Sequence, residues 1–187
     1  MNAFSSDASF EIIYRPKYLN LSLPEEGVLL VDYFTEKFGA DKAKKYMEET
    51  PKYMANLGIE FKLPRYKVPP TKAYCLVDYA TSVGKQVQTV KQLYKAYYVD
   101  DKRIDSVETL REIALKCGLD PEEAARHISD PSVTALVKET DTEERKAGHT
   151  FVPHYDICIK GKRSNLLSFV GPQTADTFKG AFQQLLE

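Results

Sequence analysis

Three cysteines, Cys75, Cys117 and Cys158, are the residues of this chain best suited to covalent chemistry, and their spacing argues against it. Thiol-disulfide catalysis needs a thiolate of lowered pKa at a helix N-terminus and a resolving thiol three residues on. The chain from Met1 to Glu187 has no Cys-x-x-Cys. Cys75 lies beside the apolar face of a predicted helix and Cys117 lies on another helix stripe, so both read as packing residues. Cys158 falls in a predicted strand, where period-two alternation places it on one face with His154 and Asp156. It reads as a buried or edge structural thiol. An odd number of cysteines at irregular spacing makes no disulfide framework, and a reducing compartment, the cytoplasm, is expected.

The three histidines, His127, His149 and His154, show no recognised metal-ligand spacing, so no metal site is expected from them. His154 follows Val152-Pro153 and could polarise a bound ligand. Gly171-Pro172-Gln173 reads as the turn before a last helix, and free N–H groups there suit a carboxylate. The tyrosine-rich stripe from Tyr94 to Tyr98 reads as core.

These residues must be positioned by mostly helical elements. Phe10–Tyr14 (F-E-I-I-Y) predicts a strand ended by Pro16. Leu23-Pro24-Glu25-Glu26 predicts a helix start, and Leu30, Tyr33, Phe34 and Phe38 continue it to Gly39. A charged helix follows over 41–49, with Pro51 interrupting or restarting it. Residues 57–61 and 64–70 form a connection. Three helices carry clear stripes: Ala73, Leu76, Val77 and Ala80; then Val87, Val90, Leu93, Tyr94, Tyr97 and Tyr98; then Val107, Leu110, Ile113, Ala114 and Cys117, closed by Gly118. Asp120-Pro121-Glu122-Glu123 joins an N-cap, a first-turn proline and first-turn acids. A further helix is expected over 133–146. The pattern then changes to strands over 154–159 and 165–170, joined by Lys160-Gly161-Lys162, and a final amphipathic helix carries Phe178, Phe182, Leu185 and Leu186. One early strand cannot make a sheet alone, so it is expected to pair with the C-terminal hairpin, with the helices between them as an insertion over about 24–147.

Composition agrees with a single globular domain over 1–187. The chain is 43% apolar and 28% charged, near the globular average. A net charge of −1 leaves no electrostatic footprint for nucleic acid. No apolar run reaches the ~20 residues of a membrane span. Met1–Ser9 is polar and lacks the apolar core of a signal peptide, so Asn20-Leu21-Ser22 reads as a chance match to a glycosylation sequon.

The order of elements and several short motifs resemble the DsbA-like thioredoxin-fold family, in its FrnE and 2-hydroxychromene-2-carboxylate isomerase branch. The stretch Y-R-P-K-Y-L-N-L-S-L-P-E-E-G from Tyr14 to Gly27 is similar to that branch after its second strand. Tyr33–Gly39, Leu93–Tyr98, Cys117–Asp120, Gly148 with Val152-Pro153, and Gly171-Pro172-Gln173 follow in the family's order, and the match covers nearly the whole chain from Phe10. The resemblance implies an α/β fold, a thioredoxin-like sheet with a large helical insertion. It implies a cis bond before Pro153 and an edge at Phe151, Val152 and Pro153, flanked by His154 and Gln173, that holds an extended polypeptide or glutathione. The family's first strand, its Cys-x-x-Cys and the helix behind it have no counterpart in the sequence. Pro69-Pro70 and Ala73-Tyr74 also stand where the family often has Asn-Thr and Ala-His. The expectation is therefore a DsbA-family oxidoreductase homologue without redox activity, with no catalytic residue and no resident cofactor, that binds a polypeptide or partner. Two strand edges left facing a gap would favour a homo-oligomer. The alternative within the resemblance is a glutathione-dependent isomerase or transferase.

Overall fold

The computed structural model describes residues 8–63 and 65–187. The start of the polar segment, Met1–Asp7, and Pro64 lie outside the described residues. The chain divides into two compact units, one through Thr140 and one from Asp141 to Glu187.

The first unit opens on an extended segment, then β1 (Val28–Leu29), α1 (Leu30–Phe38), α2 (Ala40–Asn56), β2 (Tyr66–Lys67), α3 (Thr71–Ser82), α4 (Gln86–Tyr98), α5 (Val107–Lys116), α6 (Pro121–Ser129) and the first part of α7 (Pro131–Lys146). Its core comes from α3 to α7: Cys75, Leu76 and Ala80 meet Leu93, Ala96, Leu110, Ile113, Ala114, Ala124, Ile128, Val133 and Val137. These are the predicted stripes. The alanines let helix backbones approach while Leu76 and Leu110, both without exposed surface, fill the centre. Asp120 caps α6 as its sequence requires, accepting from the N–H groups of Glu122 at 2.8 Å and Glu123 at 2.9 Å. Those two bonds hold its carboxyl below the ordinary aspartate range.

Three expectations are corrected in this unit. Phe10–Tyr14 is not a strand. The backbone of Tyr14 finds its partners in one side chain: its N–H donates to Gln86 Oε1 at 2.8 Å and its carbonyl accepts from Gln86 Nε2 at 3.0 Å. A primary amide offers one donor and one acceptor side by side, as a neighbouring strand would. Leu23–Glu26 does not start a helix; the Gly27 N–H bonds the Pro24 carbonyl at 2.9 Å in a turn, and the short strand β1 follows. Gly27 takes φ +74°, and a Cβ there would stand 2.7 Å from the Lys67 carbonyl oxygen. The turn thus needs glycine, and β1 pairs with β2 beside it (Val28 opposite Lys67). Pro51, finally, sits inside an unbroken α2. It deprives the Met47 carbonyl of its helical donor, which a largely exposed helix tolerates.

The second unit holds the end of α7, β3 (His154–Ile159), β4 (Lys162–Val170) and α8 (Ala175–Leu186). β3 and β4 form an antiparallel hairpin with His154 opposite Val170 and Ile157 opposite Leu167, and an irregularity between Ile157 and Ile159. Gly161 turns the chain at φ +83°. Tyr155 meets the Phe178 ring of α8 edge-on at 5.0 Å, and Thr174 caps that helix by accepting from the Thr177 N–H at 3.2 Å. Among the described residues the hairpin is a two-stranded sheet, so the expected pairing with residues 10–14 is not made. No helix of the described residues is long and apolar enough to cross a membrane.

Candidate functional site

The corner at Pro153 is built by the end of α7 and the start of the hairpin. Gly148, at φ +96°, ends the helix. Its N–H bonds the Arg145 carbonyl at 3.0 Å, and the His149 N–H bonds that of Glu144 at 2.9 Å, so the last helical carbonyls are satisfied. The Val152–Pro153 peptide bond is cis. On the far side the Pro153 carbonyl accepts from the Gly171 N–H at 2.8 Å, which extends the β3–β4 ladder by one bond. Between these anchors stand Phe151, 70% exposed, and Val152, 48% exposed. Among the described residues, neither backbone amide nor carbonyl of Phe151 and Val152 has a hydrogen-bond partner. Phe151–Pro153 form a bend ahead of β3, and its unpaired backbone groups are open to hydrogen bonds from another chain.

Of the five residues singled out from the sequence, Phe151, Val152, Pro153 and His154 are contiguous in this corner. Gln173 does something else with its amide. Its Nε2 donates to the carbonyls of Val170 at 3.0 Å and Gly171 at 3.2 Å, closing the turn between β4 and α8.

Beside the corner lies a polar cluster that sequence reasoning did not assemble. His154 Nε2 is 2.8 Å from Ser168 Oγ and 3.3 Å from Asp156 Oδ1, and the Ser168 hydroxyl donates to Asp156 Oδ1 at 2.6 Å. His149 Nε2 is 3.1 Å from Asp156 Oδ2, while His149 Nδ1 bonds Glu144. The two imidazole rings are 4.2 Å apart. His154 and Asp156 share a strand face by alternation, which the sequence showed. Ser168 joins through register, being opposite Asp156. His149 arrives from the helix end, at a separation from His154 that matches neither a helix nor a strand.

The cysteines divide by burial. Cys75 has no exposed surface, and burial pushes its thiol above the ordinary range; its sulfur lies 3.9 Å from Thr134 Oγ1. Cys117 is buried as well, as expected of packing residues. Cys158 is exposed on β3, beside the irregularity, rather than packed. The tyrosine stripe splits similarly. Tyr97 is buried with its hydroxyl donating to the Tyr66 carbonyl at 2.8 Å, and burial raises its pKa. Burial pushes Tyr98 up to about 12, while Tyr94 is 60% exposed. A shallow pocket of about 190 Å³ in the first unit is lined by Arg65, Tyr97, Lys102 and Arg103. Lys102 is paired with Glu112 and Arg103 with Asp105, and Asp101 stands in the same lining as Arg65, so the pocket's charge is mixed.

Comparison with solved structures places this fold. A probable DsbA oxidoreductase from Streptomyces coelicolor superposes with a TM-score of 0.70 at 21% identity, over 84% of this chain and 67% of that one. A candidate protein disulfide isomerase from Nitrosomonas europaea superposes with a TM-score of 0.63 at 10% identity, over 84% of this chain and 88% of that one. Identities this low speak for the fold alone. A comparison with curated protein sequences gives no match. The family model of the DSBA-like thioredoxin domain matches residues 2–183. With a helix-rich α/β fold of the DsbA-like thioredoxin type and a model match across nearly its whole length, the chain belongs to the DSBA-like thioredoxin domain family.

Proposed function

We propose that this chain is a binding member of the DsbA-like family, without redox turnover of its own, that holds extended polypeptide along the Phe151–Val152 edge. The observation that carries the reading is that edge: two exposed apolar side chains on backbone with unpaired N–H and C=O groups, ahead of the cis-proline. Strand addition would satisfy the backbone, and the side chains would bury apolar surface. The cysteines support the negative half of the reading. Two are buried in the helical core, and the exposed one, Cys158, has no resolving thiol at the spacing that exchange requires.

Fluorescence anisotropy with a labelled, reduced and alkylated polypeptide tests this. Burying a phenylalanine is worth about 1.5–3 kcal/mol, so Phe151→Ala should weaken binding about tenfold or more. Unchanged affinity in Phe151→Ala and Val152→Ala would refute the edge. Insulin reduction should proceed no faster than in buffer. Thermal stabilisation by glutathione, without any response to polypeptide, would replace this reading with a glutathione-dependent isomerase or transferase. Among the described residues the outer edges of the β3–β4 hairpin are unpaired, which also suits self-association. Light scattering at micromolar concentration should report a dimer, and a monomer would remove that part.

A further inference from the structure

We propose that His149, His154 and Asp156 bind a divalent transition-metal ion of the zinc class, with Glu144 as the outer carboxylate that orients His149. The three ligand types lie together, with none of their donor atoms more than 4.8 Å from another. Asp156 stands at ligand-cage distance from each imidazole through its two oxygens: 3.1 Å from His149 Nε2 to Oδ2 and 3.3 Å from His154 Nε2 to Oδ1. Nitrogen and oxygen donors about 2.1 Å from a tetrahedral ion stand roughly 3.4 Å apart, and about 3.0 Å apart at adjacent octahedral positions. The observed edges fall between these values.

The hydrogen bonding suits an ion as well as it suits a proton-bridged network. His149 has a carboxylate on each ring nitrogen, Glu144 at Nδ1 and Asp156 at Nε2. With the Nδ1 proton directed to Glu144, a positive centre is needed between Nε2 and Asp156. A proton can serve, and so can a metal ion. The carboxylate–histidine–metal relay is the usual way a protein fixes the tautomer of a ligating imidazole. His154 lacks such a carboxylate: among the described residues its buried Nδ1 has no hydrogen-bond partner, and its Nε2 meets Ser168 Oγ and Asp156 Oδ1. Two carboxylates beside two neutral imidazoles also carry the charge that one divalent cation neutralises.

Two imidazoles and one carboxylate are a borderline donor set, suited to zinc and its neighbours rather than to calcium or magnesium. Three protein ligands leave a further position to water or another ligand, as sites that act on ligands do and closed structural sites do not.

The test is isothermal titration of the full chain with zinc chloride, on a Cys158→Ser background so that the exposed thiol cannot compete. One ion per chain is expected. His149→Gln, His154→Gln and Asp156→Asn should each weaken binding at least about tenfold. Glu144→Gln should weaken it by about tenfold while stoichiometry holds. His127→Gln, which alters an ordinary histidine–carboxylate pair with Asp78 in the first unit, should change nothing. One readout needs no ligand mutation: zinc should protect His149 and His154 from diethylpyrocarbonate. No binding at micromolar zinc, binding that survives both His149→Gln and His154→Gln, binding that Cys158→Ser abolishes, or equal modification with and without zinc would each overturn the site.

Discussion

Replacing Thr89 by valine should stabilise this protein, against the usual direction of core substitutions. Thr89 sits in α4 with no exposed surface, and among the described residues its Oγ1 has no hydrogen-bond partner. A buried hydroxyl left unsatisfied costs about 1–3 kcal/mol of desolvation. Valine has the same branched shape, so rotamer freedom and helix propensity barely change. Thr89→Val should therefore raise stability by about 1–2 kcal/mol. Thr89→Ser keeps the hydroxyl and removes a methyl worth about 0.8 kcal/mol, with a cavity added, so it should fall below the parent. Thr89→Ala loses both groups and should land between the two. The assay is urea unfolding followed by far-UV circular dichroism at 25 °C, with midpoints compared at constant slope. Valine highest and serine lowest, with alanine and the parent between them, supports the reasoning. A valine variant less stable than the parent by more than about 1 kcal/mol would refute it, and would mean that the hydroxyl bonds a carbonyl in the preceding turn.

Gly27→Ala should destabilise the first unit by about 1–2 kcal/mol from the left-handed backbone alone, and by more because its Cβ would meet the Lys67 carbonyl oxygen at 2.7 Å; a thermal midpoint equal to the parent's would show that the turn relaxes freely. Asp120 caps α6 in its ionised form, with a folded pKa depressed below the ordinary 3.8 by the Glu123 and Glu122 N–H groups. Its contribution is thus present above 3.8 and lost as pH falls through the lower folded value. The deficit of Asp120→Ala should be full at neutral pH and vanish in acid, as thermal melts across pH would show; a deficit constant with pH would assign the effect to helix propensity. Under native conditions iodoacetamide should label Cys158 alone, with Cys75 and Cys117 reacting only in denaturant; early labelling of Cys75, read by peptide mass spectrometry, would contradict its buried, raised-pKa thiol.

Much of the helical block was legible because its signals are local. Asp120-Pro121-Glu122-Glu123 states a helix start in four residues, and the stripe of Leu110, Ile113 and Ala114 states which face is buried. The C-terminal hairpin was readable from alternation and from Lys160-Gly161. What failed depended on partners distant in sequence. F-E-I-I-Y at Phe10–Tyr14 has strand composition, but Gln86 meets the backbone of Tyr14 from 72 residues away. Leu23-Pro24-Glu25-Glu26 has a helix-start composition, but the close approach of Lys67 to Gly27 imposes a turn first. The corner at Phe151, Val152 and Pro153 was found because a contiguous motif carries it. The cluster of His149, His154 and Asp156 was not, because it needs the end of α7, one face of β3 and the register that sets Ser168 opposite Asp156.

The bonds that flank the corner have a consequence for how tightly it can bind. His149 is tied back to Glu144 and Pro153 is tied across to Gly171, which leaves Thr150, Phe151 and Val152 as a short bridge fixed at both ends. Ordering one residue of free chain costs about 1–2 kcal/mol. That cost is met here in folding, before any ligand arrives, so only the ligand's own freedom is lost on docking. A loosened bridge would keep every side chain and every exposed amide of the edge and still bind more weakly. On the proposed reading, affinity at this corner would be set as much by the backbone bonds of Glu144 and Gly171, neither of which a ligand need touch, as by the residues it meets.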